Sequence, residues 1–112
     1  MKKNILIVGG TSGIGLELVK LLESKNHLIV ASRSNESLND MTVTHIPFDV
    51  EADSLDVSEL PSTLDGLVYC PGTINLRPFK GLKHEVFEKD FSINVMGAVK
   101  VLQSVLGLLQ NS

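Results

Sequence analysis

This sequence is poor in the residues that usually carry reactive chemistry: it holds one cysteine, Cys70, one tyrosine, Tyr69, and three scattered histidines. A single thiol excludes an internal disulfide framework and fits a reducing compartment. His27, His45 and His84 have no metal-ligand spacing, so each reads as a turn or surface histidine and no metal site is expected. Ten Lys and Arg residues stand against 13 Asp and Glu, for a net charge of −3 and no basic block. That balance leaves no electrostatic footprint for nucleic acid. No apolar run approaches the roughly 20 residues that a membrane span requires. The opening run Ile5-Leu6-Ile7-Val8 is too short for the core of a signal peptide, and glycines follow at once. These absences lead to the expectation of a cytoplasmic protein without membrane or nucleic-acid partners. Acid pairs such as Asp53 and Asp56 read as solvated helix starts.

What is present points to one globular domain over residues 1–112. Hydrophobic residues make up 43% and charged residues 21%, a folded composition with no repeat and no low-complexity segment. Ile5 to Val8 is a short β-rich run closed by glycine, as a strand buried on both faces would be. Ile14, Leu18, Leu21 and Leu22 then recur at helical spacing, with Glu17, Lys20 and Glu23 opposite. Asn26 fits a left-handed helix stop, and Leu28 to Ala31 reads as a second strand. Ser34 to Asp40 has room for a turn or two of helix. Val43 to Phe48 reads as a third strand, with Pro47 weakening its far end. A short helix broken by Pro61 is expected over Ser54 to Leu64, then a fourth strand over Leu67 to Cys70. The last element is a helix from His84 to Gln110, interrupted near Asn94 or Gly97. Alternating strands and helices imply an α/β fold: a Rossmann-type open parallel sheet of about four strands with flanking helices.

Gly9-Gly10-Thr11-Ser12-Gly13-Ile14-Gly15 joins the first strand to the first helix, where a phosphate-binding turn belongs. A sharp exit from the strand favours positive φ, and a pyrophosphate can approach the backbone only where no Cβ intervenes. The last glycine lets the helix pack close to the sheet, and the helix N-terminus offers free N–H donors. Thr11 and Ser12 add hydroxyls. The other reading is a plain tight turn without ligand. A P-loop is excluded, because no Lys-Ser/Thr pair follows the glycines.

The spacing Gly9, Gly13, Gly15, with Ser12-Gly13-Ile14-Gly15 at its end, resembles the opening motif of the short-chain dehydrogenase/reductase family. Val8 stands in place of that family's threonine. The resemblance implies a nicotinamide dinucleotide held by Gly9, Thr11, Ser12, Gly13, Ile14 and Gly15. Ser32-Arg33 closes the second strand, where an NAD-preferring enzyme places an acid on the adenosine ribose. An arginine there can instead grip a 2′-phosphate. Arg33, helped by Ser32 or Ser34, therefore favours NADP over NAD; a solvated surface arginine is the alternative. Asp49 and Val50 match the family's adenine-flanking pair, with a turn-capping aspartate as the competing reading. Cys70-Pro71-Gly72 stands where the family commonly has Asn-Asn-Ala-Gly, which places Pro71 and Gly72 near the nicotinamide ribose. Phe91 to Gly97 resembles the family's helix segment with a functional asparagine, and Asn94 would help hold a water or lysine of the proton relay. A polar residue that satisfies a helix kink is the alternative.

The family's tyrosine, in Y-x-x-x-K, is not matched: Thr73 lies four residues after Tyr69. The expectation is thus an NADP(H)-binding domain that ends before the catalytic Ser/Tyr/Lys segment and does not reduce carbonyls by itself. A non-catalytic nucleotide-binding module acting through self-association is the alternative, and a methyltransferase of related fold is a weaker third. Val95, Ala98, Val99, Leu102, Val105, Leu106 and Leu109, extended by Met96, Val101 and Leu108, form an apolar face that should be buried. The fourth strand should lie at a sheet edge. Both imply a homo-oligomer through the C-terminal helix or a longer parent.

Overall fold

The computed structural model describes residues 2–11, 13–51, 55–71 and 79–111. Of the candidate residues, Ser12 and Gly72 lie outside that set, as does Asp53. Four parallel strands, β1 (Asn4–Val8), β2 (His27–Ser32), β3 (Thr44–Pro47) and β4 (Gly66–Tyr69), form one sheet in the order β3-β2-β1-β4. The expected α/β architecture is present, and among the described strands β4 is an edge.

β1 runs through the middle, paired from Asn4–His27 to Val8–Ala31 on one side and from Ile5–Gly66 to Val8–Tyr69 on the other. A strand in that position must be apolar on both faces, and Leu6, Ile7 and Val8 are buried. Alternation divides them between two cores. Ile7 joins Leu28, Val30, Leu38 and Val19 on the side of α1 (Gly13–Leu22). Leu6 and Val8 join Ile29, Ala31, Ile46, Leu64, Val101 and Val105 on the opposite side. Pro47 closes β3 opposite Ser32; with β3 at the other edge, its missing N–H costs no ladder bond toward a further strand.

α1 differs from its expected apolar stripe. Gly15 and Val19 face the sheet, with Leu16, Leu18 and Leu22 partly buried, whereas Ile14 and Leu21 are largely exposed. The helix enters with Gly15 against the preceding turn, so the inward line runs 15, 19, 22. Asn26 is not a left-handed stop, since no described non-glycine residue has positive φ. Its side chain and backbone N–H both donate to the Leu22 carbonyl, at 3.1 Å each, which satisfies a terminal acceptor without an inverted backbone.

A single 3-10 turn, Glu36–Leu38, follows β2. Where a helix was expected over Ser54–Leu64, the described part holds only the 3-10 turn Val57–Glu59. Asp56 caps it, accepting from the Ser58 N–H at 3.0 Å and the Ser58 hydroxyl at 2.6 Å. These bonds, the hydroxyl's first, hold the Asp56 carboxyl below its ordinary value. Such local side-chain bonds compete with helix propagation, and Pro61 closes the other end.

The last helix continues through the expected interruption. α2 (His84–Phe91) passes into a π-helical turn, Ser92–Met96, and then α3 (Gly97–Gln110). Its inward line is Ile93, Gly97, Val101 and Val105. Of the face expected to be buried, Val101 and Val105 are, and Ala98, Leu108 and Leu109 are half-buried, while Val95, Met96, Val99, Leu102 and Leu106 are exposed. With Phe87 and Phe91 they make an outward apolar stripe. The extra residue of a π turn advances the phase of everything after it, which a uniform helical wheel cannot anticipate. Taken without interruption, His84–Gln110 is long and apolar enough to cross a bilayer by length and composition, with mean hydropathy 1.5 in its most apolar window. The expectation of no such stretch is corrected on that criterion. In this fold Val101 and Val105 are buried in the sheet's core.

Candidate functional site

The site forms where the parallel strands end together. Hydrogen bonding continues one residue past β1, β3 and β4: Gly9 N–H to the Ala31 carbonyl at 2.8 Å, Phe48 N–H to the Ser32 carbonyl at 2.9 Å, and Cys70 N–H to the Val8 carbonyl at 2.9 Å. The chain is therefore held until it leaves the sheet, and the departing loops share one rim. A ligand cleft at the carboxyl ends of the strands, beside the central one, is the general rule for open α/β sheets.

Gly9 leaves β1 with φ of +82° and Gly13 starts α1 with φ of +55°, both in the region that side chains disfavour. At Gly15 the constraint is close approach. A Cβ there would fall on the Gly9 carbonyl oxygen and lie 3.1 Å from the Gly10 Cα, so only glycine lets α1 begin this near the strand. The first turn of α1 carries no acid, so no carboxylate of that turn offsets the positive end of the helix.

A cavity of about 420 Å³ opens above these glycines. Gly9, Thr11, Gly13, Ile14 and Gly15 line one part of it; Ser32, Arg33 and Ser34, then Asp49 and Val50, and finally Pro71 line the rest. Residues singled out on four separate loops are thus brought together. Arg33 and Ser34 are exposed at the rim, while Ser32 is buried. Its hydroxyl donates to the Ser34 carbonyl at 2.7 Å and lies 2.9 Å from His45 Nε2. The Asp49 carboxylate accepts the Glu51 N–H at 3.0 Å, so it caps its own turn while facing the cavity.

Asn94 is exposed on the π turn and does not line the cavity; Ile93, its neighbour, does. The Ile93 carbonyl accepts a 2.5 Å hydrogen bond from the Tyr69 hydroxyl, and a Cβ on Gly97 would strike that hydroxyl and a Val50 methyl. Helix and strand end are therefore locked through Tyr69. Burial pushes the Tyr69 phenol and the Cys70 thiol up from their ordinary values.

Val8, Ala31, Phe48, Glu51, Cys70 and Ile93 also line the cavity but were not singled out from sequence. Val8, Ala31 and Phe48 had a usable signal, since each is the residue beside a strand's end. Ile93 had none, because its direction depends on the π turn. Neither the turn nor the surface reading suits His45, which is half-buried on β3, and His27 is an exposed strand residue bonded to the Asn4 side chain at 2.9 Å.

The profile of the short chain dehydrogenase family matches residues 3–112. The chain belongs to that family. It is 29% identical, over 122 aligned residues, to a PIGF/3-ketodihydrosphingosine reductase fusion protein of Schizosaccharomyces pombe, covering 94% of this chain and 25% of the relative. Its fold superposes on the putative carbonyl reductase Sniffer of Caenorhabditis elegans with a TM-score of 0.84 and 27% identity, over 99% of this chain and 55% of the other. An actinorhodin polyketide ketoreductase with NADPH gives a TM-score of 0.78 and 26% identity, over 94% and 46%. A short chain dehydrogenase family protein from Francisella tularensis shares the fold at 20% identity, with a TM-score of 0.82 over 97% and 47%. The chain thus spans a quarter of the curated relative and about half of these solved chains. It carries the Rossmann-type fold of a short-chain dehydrogenase, an oxidoreductase family that uses nicotinamide dinucleotides.

Proposed function

We propose that this chain binds NADP(H) and is the nucleotide-holding part of a short-chain dehydrogenase/reductase acting on a carbonyl/alcohol pair. One observation carries the reading: the glycine loop, Arg33 and Asp49 line a single cavity at the strand ends. The residues suit the cofactor because the space a Cβ would fill at Gly13, which lines the cavity, is open and the start of α1 bears no opposing acid. The backbone N–H groups at the start of α1 hold the pyrophosphate. Arg33 takes the 2′-phosphate through charge-assisted bonds, where an acid would repel it. Asp49 and Val50 flank the adenine, and Pro71 and Gly72 approach the nicotinamide ribose. Asn94 is assigned to the proton relay of the complete site. When bound, the nicotinamide supplies or accepts the hydride.

Residues 1–112 contain no Y-x-x-x-K, so this chain by itself is not expected to turn over carbonyls. Membership of an oxidoreductase family weighs against a purely non-catalytic module. We assign the protein to the cytoplasm and the outward stripe of the last helix to contact with a second copy.

The test is titration of the chain with NADPH and with NADH. Arg33→Ala should weaken NADPH far more than NADH, by about 10- to 100-fold for a lost charged hydrogen-bond pair. Equal weakening of both would refute the assignment of Arg33.

A further inference from the structure

Two side chains, Ser32 and His45, bear on the corner that presents Arg33. Ser32 has one hydroxyl proton, and it is donated to the Ser34 carbonyl. The 2.9 Å approach of His45 Nε2 to the same oxygen must then be an N–H donated by the histidine, since the serine has no second proton to give. A chain of donation runs from His45 through Ser32 to the Ser34 carbonyl, and Arg33 lies between its last two members. The chain is buried at Ser32 and half-buried at His45, where an unmade bond is costly. His45 stands on β3 opposite Val30, so a sheet residue anchors the corner. Beyond Arg33, the Ser37 hydroxyl donates to the Thr11 carbonyl at 2.8 Å and ties the following turn to the glycine loop.

We propose that His45 is a positioning residue for cofactor selection: acting through Ser32, it fixes the Ser32–Ser34 corner so that Arg33 is held at the 2′-phosphate. The proposal rests on the assignment of Arg33 to that phosphate. Preorganisation of this kind raises affinity by removing the cost of ordering the arginine on binding. It acts on the ligand that uses Arg33 and leaves the other unchanged. His45 thus sets the ratio of NADPH to NADH affinity without touching either.

The experiment measures both dissociation constants for the full chain and its variants. His45→Phe should lower the NADPH preference about 3- to 10-fold, the worth of one hydrogen bond, with NADH affinity retained. His45→Gln, whose amide N–H can reach where Nε2 was, should restore most of it, and Ser32→Ala should reproduce the loss should His45→Phe fail to fold. An unchanged ratio in His45→Phe, or in Ser32→Ala, while Arg33→Ala collapses it overturns the role of His45 and leaves Arg33 standing. Equal losses in His45→Phe and His45→Gln overturn it too, since packing alone would then matter. An unchanged ratio in Arg33→Ala removes the reading on which the proposal rests.

Discussion

Gly97 and Gly107 lie on the same helix, and alanine at the two positions should act with opposite sign. Helix propensity favours alanine over glycine by about 1 kcal/mol at either. Gly107 is exposed with nothing within 4 Å of a new Cβ, so Gly107→Ala should gain up to about 1 kcal/mol. At Gly97 the Cβ would meet the Tyr69 hydroxyl, a Val50 methyl and, at 3.3 Å, the Ser92 carbonyl oxygen. Tyr69 is held by its bond to the Ile93 carbonyl and cannot swing aside freely. Overpacking of this kind costs roughly 1–3 kcal/mol, and displacing the tyrosine forfeits its hydrogen bond to Ile93, worth about 1 kcal/mol. The net expectation for Gly97→Ala is a loss of about 1–3 kcal/mol. At about 5 °C per kcal/mol for a domain of this size, Gly97→Ala should melt roughly 5–15 °C lower and Gly107→Ala up to about 5 °C higher. Thermal and urea unfolding followed by far-ultraviolet circular dichroism would measure both. Tyr69→Phe should partly relieve Gly97→Ala, a non-additivity expected of touching groups. A rise in melting temperature for Gly97→Ala equal to that for Gly107→Ala would refute the tight crossing of helix and strand.

Three further outcomes follow from the same geometry. Gly15→Ala should abolish measurable binding of NADPH and of NADH alike, because its Cβ falls on the Gly9 carbonyl oxygen; near-normal affinity in calorimetry would contradict the close start of α1. The Tyr69 phenol and Cys70 thiol are raised above 10.0 and 9.0 by burial, so the unfolded chain releases those protons first. Their stabilising effect is complete below about pH 9 and is lost as pH rises through the folded values, and Tyr69→Phe with Cys70→Ala should flatten that alkaline decline in urea midpoints. Leu102→Lys, on the outward stripe where Leu102 is 46% exposed, should change the stability of the single chain by less than about 0.5 kcal/mol. It should shift sedimentation toward the monomer, and an unaltered sedimentation profile of an assembled wild type would remove the stripe from the interface.

The grouping of the candidate site residues around one cavity was largely legible because they stand in short contiguous runs. Gly9 to Gly15 must turn, bare its backbone and start a helix within seven residues, which few side chains permit. Arg33 and Asp49 follow their strands at once, so locating the strand ends located them. The helix near Asn94 was less legible. Whether Asn94 or Ile93 faces the cavity is a matter of angular phase, and a π turn changes phase without leaving a composition signal.

By itself the sequence determined the parallel α/β layout, since a strand apolar on both faces belongs inside such a sheet, and it determined where glycines turn the chain into α1. Tertiary structure alone decided the rest. Ile14 and Leu21 face outward because Gly15 pins the start of α1, and the apolar residues Val95 to Leu106 divide between core and surface because the π turn resets the helix. His45 reads as an ordinary polar residue until β3 lies beside β2; only then does its N–H reach Ser32 and the corner carrying Arg33. Local patterns set what each segment can form, but partners 13 or more positions apart are chosen only when the sheet assembles.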